Sequence, residues 1–147
     1  MNFDWTFAVE LRREENGSVG AYNAAMPEAI ASGDDESRAL AEMAHAIDAA
    51  IRGKIHFGMD LEPPSVPSDP PPGLHWLTVS PALAAKASLY VLWRRSGLSK
   101  VALAERLAVN EKEARRILDP DHPTGLDRLA EAVAIFGHRL TVRAVAA

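Results

Sequence analysis

The stretch Ser99–Leu118, SKVALAERLAVNEKEARRIL, decides how the chain is read. Ser99 can cap a helix by accepting a backbone N–H. Leu103, Ala104 and Leu107 then recur at helical spacing. After Ala108 and Val109, Asn110 can cap a second helix, on which Ala114 and Ile117 face inwards. Glu113, three residues on, is placed to bond back to the backbone of that cap. The spacing predicts a helix, a tight turn and a second helix. Ala104 is small where the second helix crosses close. Ala108 stands at the turn, where glycine is usual; if the backbone there has positive φ, alanine costs on the order of 1 kcal/mol.

The residues left outside this packing are Lys100, Glu111, Lys112, Arg115 and Arg116. A helix entering the major groove through its first turn needs donors for guanine O6 and N7, and Lys112, Arg115 or Arg116 can supply them. Lys100, at the start of the first helix, stands where a phosphate would pass. Glu111 can accept from cytosine N4 or repel mismatched sequences. The DNA-binding candidates are therefore Ser99, Lys100, Asn110, Glu111, Lys112, Arg115 and Arg116. An amphipathic helical hairpin with a solvated charged face has much the same pattern; the agreement of core, caps and basic face favours DNA.

Charge is unevenly spread around this motif. Residues 1–72 carry five Lys or Arg against thirteen Asp or Glu, a formal −8, and residues 73–147 carry eleven against seven, a formal +4. One half suits a basic partner and the other a polyanion. Between them, Glu62–Gly73 reads EPPSVPSDPPPG, in which six of twelve residues are proline. Proline lacks a backbone donor and has a fixed φ, so an extended connector is expected over 62–73.

Ahead of the connector, Phe3, Trp5, Phe7, Val9 and Leu11 alternate with smaller or polar residues, the period of a half-buried strand. Asn16-Gly17 supplies a hairpin turn. SVGAYNA reads as a second strand and PEAIAS as a shorter third. GDDES offers caps for a helix bearing Leu40, Met43, Ala44, Ile47 and Ile51, with Gly53 placed to end it. The front half, 1–61, is expected to be β-β-β-α.

Behind the connector, in 74–147, LHWLTV reads as a short strand and Ser80-Pro81 opens a helix that runs to about Arg95 before Gly97. Past the central motif, Thr124 and Asp127 have the spacing of a capping box for a helix with Leu126, Leu129, Ala130, Val133 and Phe136 on one face, closed by Gly137. RLTVRAV is expected to end the chain as a strand. It is too short to stand alone, and pairing with its twin across a two-fold axis, or with LHWLTV in the same chain, would satisfy its edge.

The remaining composition narrows the function classes. Cysteine is absent, which excludes disulfides and thiolate chemistry. No apolar run approaches bilayer length and the first residues lack a signal-peptide pattern, so a cytoplasmic location is expected and no membrane. His45, His56, His75, His122 and His138 show no ligand spacing, no glycine pattern cradles a phosphate, and no metal or cofactor is expected. Asp4 lies on the strand face opposite Phe3 and Trp5. It would point away from Glu42 and Asp48, which leaves no convergent carboxylate set for a nuclease and no catalytic residue. Trp76 and Trp93 are expected to pack.

The order of these parts, with MPEAIASGDD in front and LAAKASLY, LSKVALAERLAVNEKEARRILDP and LDRLAEAVAIFGHRL behind, resembles the HicB antitoxins, in the branch that ends in a helix-turn-helix. The resemblance spans essentially the whole chain. It implies an α+β chain: a partial ribonuclease H-like front domain without catalysis, and a lambda-repressor-like all-α rear domain. The front domain would bind a HicA-type toxin, a small basic ribonuclease that cuts mRNA. The rear would bind operator DNA and repress its own operon as a homodimer or higher oligomer. The acids available to such a toxin are Glu14, Glu15, Asp34, Asp35, Glu36 and Glu42. The competing function is a helix-turn-helix regulator whose front half senses a small ligand.

Overall fold

A computed structural model describes residues 2–65 and 71–146. Residues 66–70, the middle of the expected connector, lie outside the described residues. The chain divides into two compact units, Met1–Ala84 and Ala85–Ala147.

In the front unit, β1 (Thr6–Arg13), β2 (Val19–Tyr22), β3 (Ala31–Gly33) and β4 (Leu74–Thr78) form one antiparallel sheet in the order β3-β2-β1-β4. The alternation seen in the sequence sorts the faces: Trp5, Phe7 and Val9 are buried and Glu10 and Arg12 are exposed. β1 turns into β2 through Glu14–Ser18. Gly17 has φ 86°, and its N–H donates to the Glu14 carbonyl at 3.0 Å, a turn closed by a left-handed glycine. β3 sits at Ala31–Gly33, slightly later than PEAIAS.

The α1 helix (Glu36–His56) lays Ala39, Met43, Ile47, Ile51 and Ile55 into the core with the sheet's apolar residues. Asp35 caps it, accepting from the Arg38 N–H at 2.8 Å. A Cβ on Gly33 would meet the backbone nitrogen of Ala39 at 2.6 Å, so glycine lets β3 pass beneath the helix start. Gly53 does not end α1. The helix runs one turn further, and Gly58, at φ 63°, follows its end.

The strand expected to open the rear half belongs to the front. β4 lies beside β1, with Thr6 opposite Thr78 and Glu10 opposite Leu74, and the Val79 N–H donates to the Trp5 carbonyl at 3.0 Å. The β-β-β-α expectation for 1–61 thus becomes a sheet completed from beyond the proline stretch. The division falls near residue 84 and not at 74. Pairing β1 satisfies a backbone edge that a rear-unit strand would leave open.

The α2 helix (Pro81–Ser96) begins with the Ser80 hydroxyl accepting from the Leu83 N–H at 3.4 Å and stops before Gly97, at φ 74°. The rear unit continues with α3 (Lys100–Leu107), α4 (Glu111–Leu118) and α5 (Leu126–Ile135). Its core holds Leu89, Val91, Leu103, Ala104, Ala114, Ile117, Leu129, Ala132 and Val133. Leu126, expected on the inner face of α5, is 53% exposed. Residues 139–145, expected as a strand, have no regular structure, and Val142 and Val145 are exposed. Alternation alone makes no strand where no neighbour supplies the ladder. LHWLTV is already paired with β1, which removes the pairing with it within the chain. No described helix is long and apolar enough to cross a membrane.

Candidate functional site

The α3 and α4 helices, eight residues each, are joined by Ala108, Val109 and Asn110. The turn is built as the spacing predicts. Ala108 adopts φ 55° and ψ 42°, the left-handed region. Its N–H donates to the Glu105 carbonyl at 3.2 Å and that of Val109 to the Ala104 carbonyl at 3.0 Å, closing α3 in a Schellman motif. Ser99 caps α3 by accepting from the Ala102 N–H at 3.0 Å, and Asn110 caps α4 by accepting from the Glu113 N–H at 2.8 Å.

The exposed side chains around these caps are the DNA-binding candidates, and several are already engaged. The Arg115 guanidinium donates to Glu111 Oε1, with Nη2 at 2.6 Å. Glu113 does not return a bond to its cap; its carboxylate lies 3.9 Å from Arg116. The Lys100 ammonium stands 5.9 Å from the centre of the Trp93 ring, and Trp93 packs against Tyr90 with ring centres 6.0 Å apart. Lys112 is exposed and makes no ion pair among the described residues. The basic groups are thus on the surface at the start of α3 and along α4, while both cap side chains are committed to the backbone.

One residue that the sequence reading passed over organises the far end of α4. Lys86, on α2, is 3% exposed. Its Nζ donates to the carbonyls of Arg116 at 2.9 Å and Ile117 at 2.8 Å and to the Thr124 hydroxyl at 2.7 Å. Burial pushes its ammonium down to about 8, against the pull of Asp119 and Glu113. This corrects the capping box expected at Thr124: α5 has Gly125 at its cap position with no side-chain bond, because the Thr124 oxygen serves Lys86. The signal was present in PALAAKASLYVLW, residues 81–93, where Lys86 is the single charge in an otherwise uncharged run.

On the front unit, the register sets Arg13 opposite Val19 and Val19 opposite Gly33. The β1–β2 turn and the β3–α1 junction therefore share one end of the sheet. That brings Glu14 and Glu15 to the same end as Asp34, Asp35 and Glu36. Glu42 lies apart, six residues into α1, or about 9 Å along its axis, and pairs with Arg38 at 3.2 Å. Glu14 accepts from the Tyr22 hydroxyl at 2.7 Å and Asp35 is the α1 cap. Glu15, Asp34 and Glu36 are exposed and make no ion pair among the described residues. The three carboxylates weighed as a nuclease set do not converge: Asp4 accepts from the Thr6 hydroxyl at 2.7 Å, Glu42 holds Arg38 and Asp48 holds Arg52 at 2.6 Å. Trp93 packs as expected, while Trp76 is 38% exposed.

No family model matches the sequence. Among curated proteins, the chain is 31% identical over 136 residues to Antitoxin HicB 1 of Photorhabdus laumondii, covering 92% of this chain and 84% of that protein. It is 26% identical to Antitoxin HicB 2 of the same organism, covering 99% and 100%, and 29% identical to Antitoxin HicB of Pseudomonas fluorescens, covering 96% and 94%. Among solved structures, it is similar to the N-terminal domain of the Burkholderia pseudomallei antitoxin HicB, at 20% identity and TM-score 0.42, over 51% of this chain and 95% of that one. With identity of this level sustained over nearly its full length, the chain belongs to the HicB antitoxin family.

Proposed function

We propose that the protein neutralises a HicA-type, mRNA-cleaving toxin through its front unit and represses its own operon by binding promoter DNA through its rear unit. The observation that carries the DNA half is the capped α3–turn–α4 pair with Lys100, Lys112, Arg115 and Arg116 on its surface. The first turn of α4 would enter the major groove, where these side chains can donate to guanine and to phosphates. Support for the toxin half comes from the relatives, which are named antitoxins, and from the gathering of Glu14, Glu15, Asp34, Asp35 and Glu36 at one end of the sheet. Carboxylates there complement a basic ribonuclease, speeding encounter and rejecting wrong partners. Binding as a dimer would set two α4 helices about 34 Å apart, one turn of DNA. The tail from Leu140 to Val145, exposed from Thr141 onwards, is the segment we assign to that pairing.

The test is co-expression with the product of the neighbouring gene, together with gel shifts on the chain's own promoter. Wild type should rescue growth, co-purify with the toxin and retard the promoter. Reversing Arg115 and Arg116 to Glu should abolish the shift and leave rescue intact. Loss of rescue in that folded variant would overturn the division of labour.

A further inference from the structure

The role of Lys86 reaches further, and the inference rests on the DNA-reading function proposed above. The α4 helix is eight residues long, and helices this short do not hold their own geometry in water. Its direction is set by what grips its two ends. At the front, Asn110 and the Schellman turn do so. At the back, the last carbonyls of a helix have no partner within it. The Asp119 N–H meets those of Arg115 and Arg116 at 3.0 and 3.2 Å. The Lys86 ammonium takes those of Arg116 and Ile117 and extends to Thr124 in the loop that leads to α5. It has three protons and meets three acceptors. Its charge lies where the carbonyl dipoles of α4 converge.

We propose that Lys86 is a positioning residue for DNA reading: it holds the C-terminal end of α4 and the α4–α5 loop against α2, and so sets the pitch at which α4 presents its first turn. At 3% exposure Lys86 itself cannot reach a phosphate. Its influence passes through the backbone of Arg116, whose side chain is on the exposed face, 46% accessible. A methionine would fill the same space without the cost of desolvating a charge. What it cannot do is bond three oxygens from two separate segments. Any slack at that end turns the whole short helix, and a misplacement of about 1 Å is enough to break bidentate contacts to a base edge while phosphate contacts survive.

The test compares full-length wild type with Lys86→Met and the milder Thr124→Val, using labelled duplexes of the promoter and of random sequence. Folding is checked by circular dichroism and rescue from the toxin by co-expression. Lys86→Met should lose about tenfold in promoter affinity and Thr124→Val about threefold. Affinity for random duplex, which depends on phosphates, should stay within about twofold, with its salt slope unchanged. A residue that merely stabilised the fold would lower both affinities together. An unchanged ratio of promoter to random affinity in the folded variants overturns the positioning role and leaves the repressor reading standing. If Lys86→Met does not fold, the ratio in Thr124→Val decides. A wild-type protein with no preference for its promoter overturns the repressor reading itself.

Discussion

Arg115 Nη2 lies 2.6 Å from Glu111 Oε1, one helical turn away, so an arginine placed to meet DNA is already paired with a carboxylate. Both side chains are well exposed, at 62% and 44%, and a pair of that kind contributes less than about 1 kcal/mol to stability. Its consequence is for binding. Glu111 competes with phosphate for Arg115 and itself repels the backbone of nucleic acid. Replacing Glu111 by Gln should leave the melting behaviour within about 0.5 kcal/mol of wild type. Affinity for random duplex should rise, and the slope of log affinity against log salt should steepen by up to about one. The preference for promoter over random DNA should therefore shrink. An unchanged salt slope would show that Arg115 is not turned towards phosphate when Glu111 lets it go.

The left-handed conformation of Ala108 leads to a prediction about stability instead. At φ 55° its Cβ crowds the following carbonyl. Glycine has no such penalty but loses more freedom on folding, and the net gain for Ala108→Gly should be about 0.5–1 kcal/mol. Urea unfolding monitored by helix signal measures it. A destabilised variant would mean that the turn relaxes to negative φ in solution.

How much could be read without coordinates depended on range. Trp5, Phe7 and Val9 announce a strand because its two faces differ locally, and Ser99 and Asn110 announce caps because the bonds they make span three residues. Where the outcome was set by a distant group, local patterns misled. Thr124 has the right spacing for a capping box, yet an ammonium thirty-eight residues away takes its oxygen. Gly53 resembles a helix end, but the helix tolerates it because Ile55 still has core to bury against. The gathering of Glu14 with Asp34 follows from the register of three strands, which no window along the chain contains.

The position of β4 shows the same effect at the scale of a domain, and it predicts where the chain can be cut. A fragment of residues 1–61 lacks Leu74–Thr78 and leaves Thr6–Glu10 as an open edge. Residues 1–80 keep that ladder and the bond from Val79 to the Trp5 carbonyl. The loss is that of several cross-strand pairs, about 1–5 kcal/mol in all. An exposed edge beside Phe7 and Val9 also invites aggregation. The longer fragment should unfold cooperatively and stay monodisperse at concentrations where the shorter one associates. Light scattering and thermal unfolding of the two distinguish the cases, and equal behaviour would mean that β4 is dispensable to the sheet.

The last prediction concerns pH and returns to Lys86. Its ammonium is pushed down from 10.5 to about 8, chiefly by burial. In the unfolded chain the same group keeps its proton up to about pH 10.5. Below about pH 8 both states are protonated and this residue contributes no slope. Between about 8 and 10.5 the unfolded state holds a proton that the folded state has released, so stability rises with pH. The gain is at most about 1.4 kcal/mol per unit and about 3 kcal/mol over the window. Titrations that wild type and the Lys86→Met variant share drop out of the difference between them. Urea unfolding of wild type and Lys86→Met at pH 7, 8, 9 and 10 isolates the effect, because the variant has nothing to titrate there. The difference in unfolding free energy should be flat to about pH 8 and then move in favour of wild type. A difference that stays flat to pH 10 would place the proton on Lys86 throughout. In that case the three oxygens around Nζ, each accepting from the ammonium, outweigh the cost of burying it.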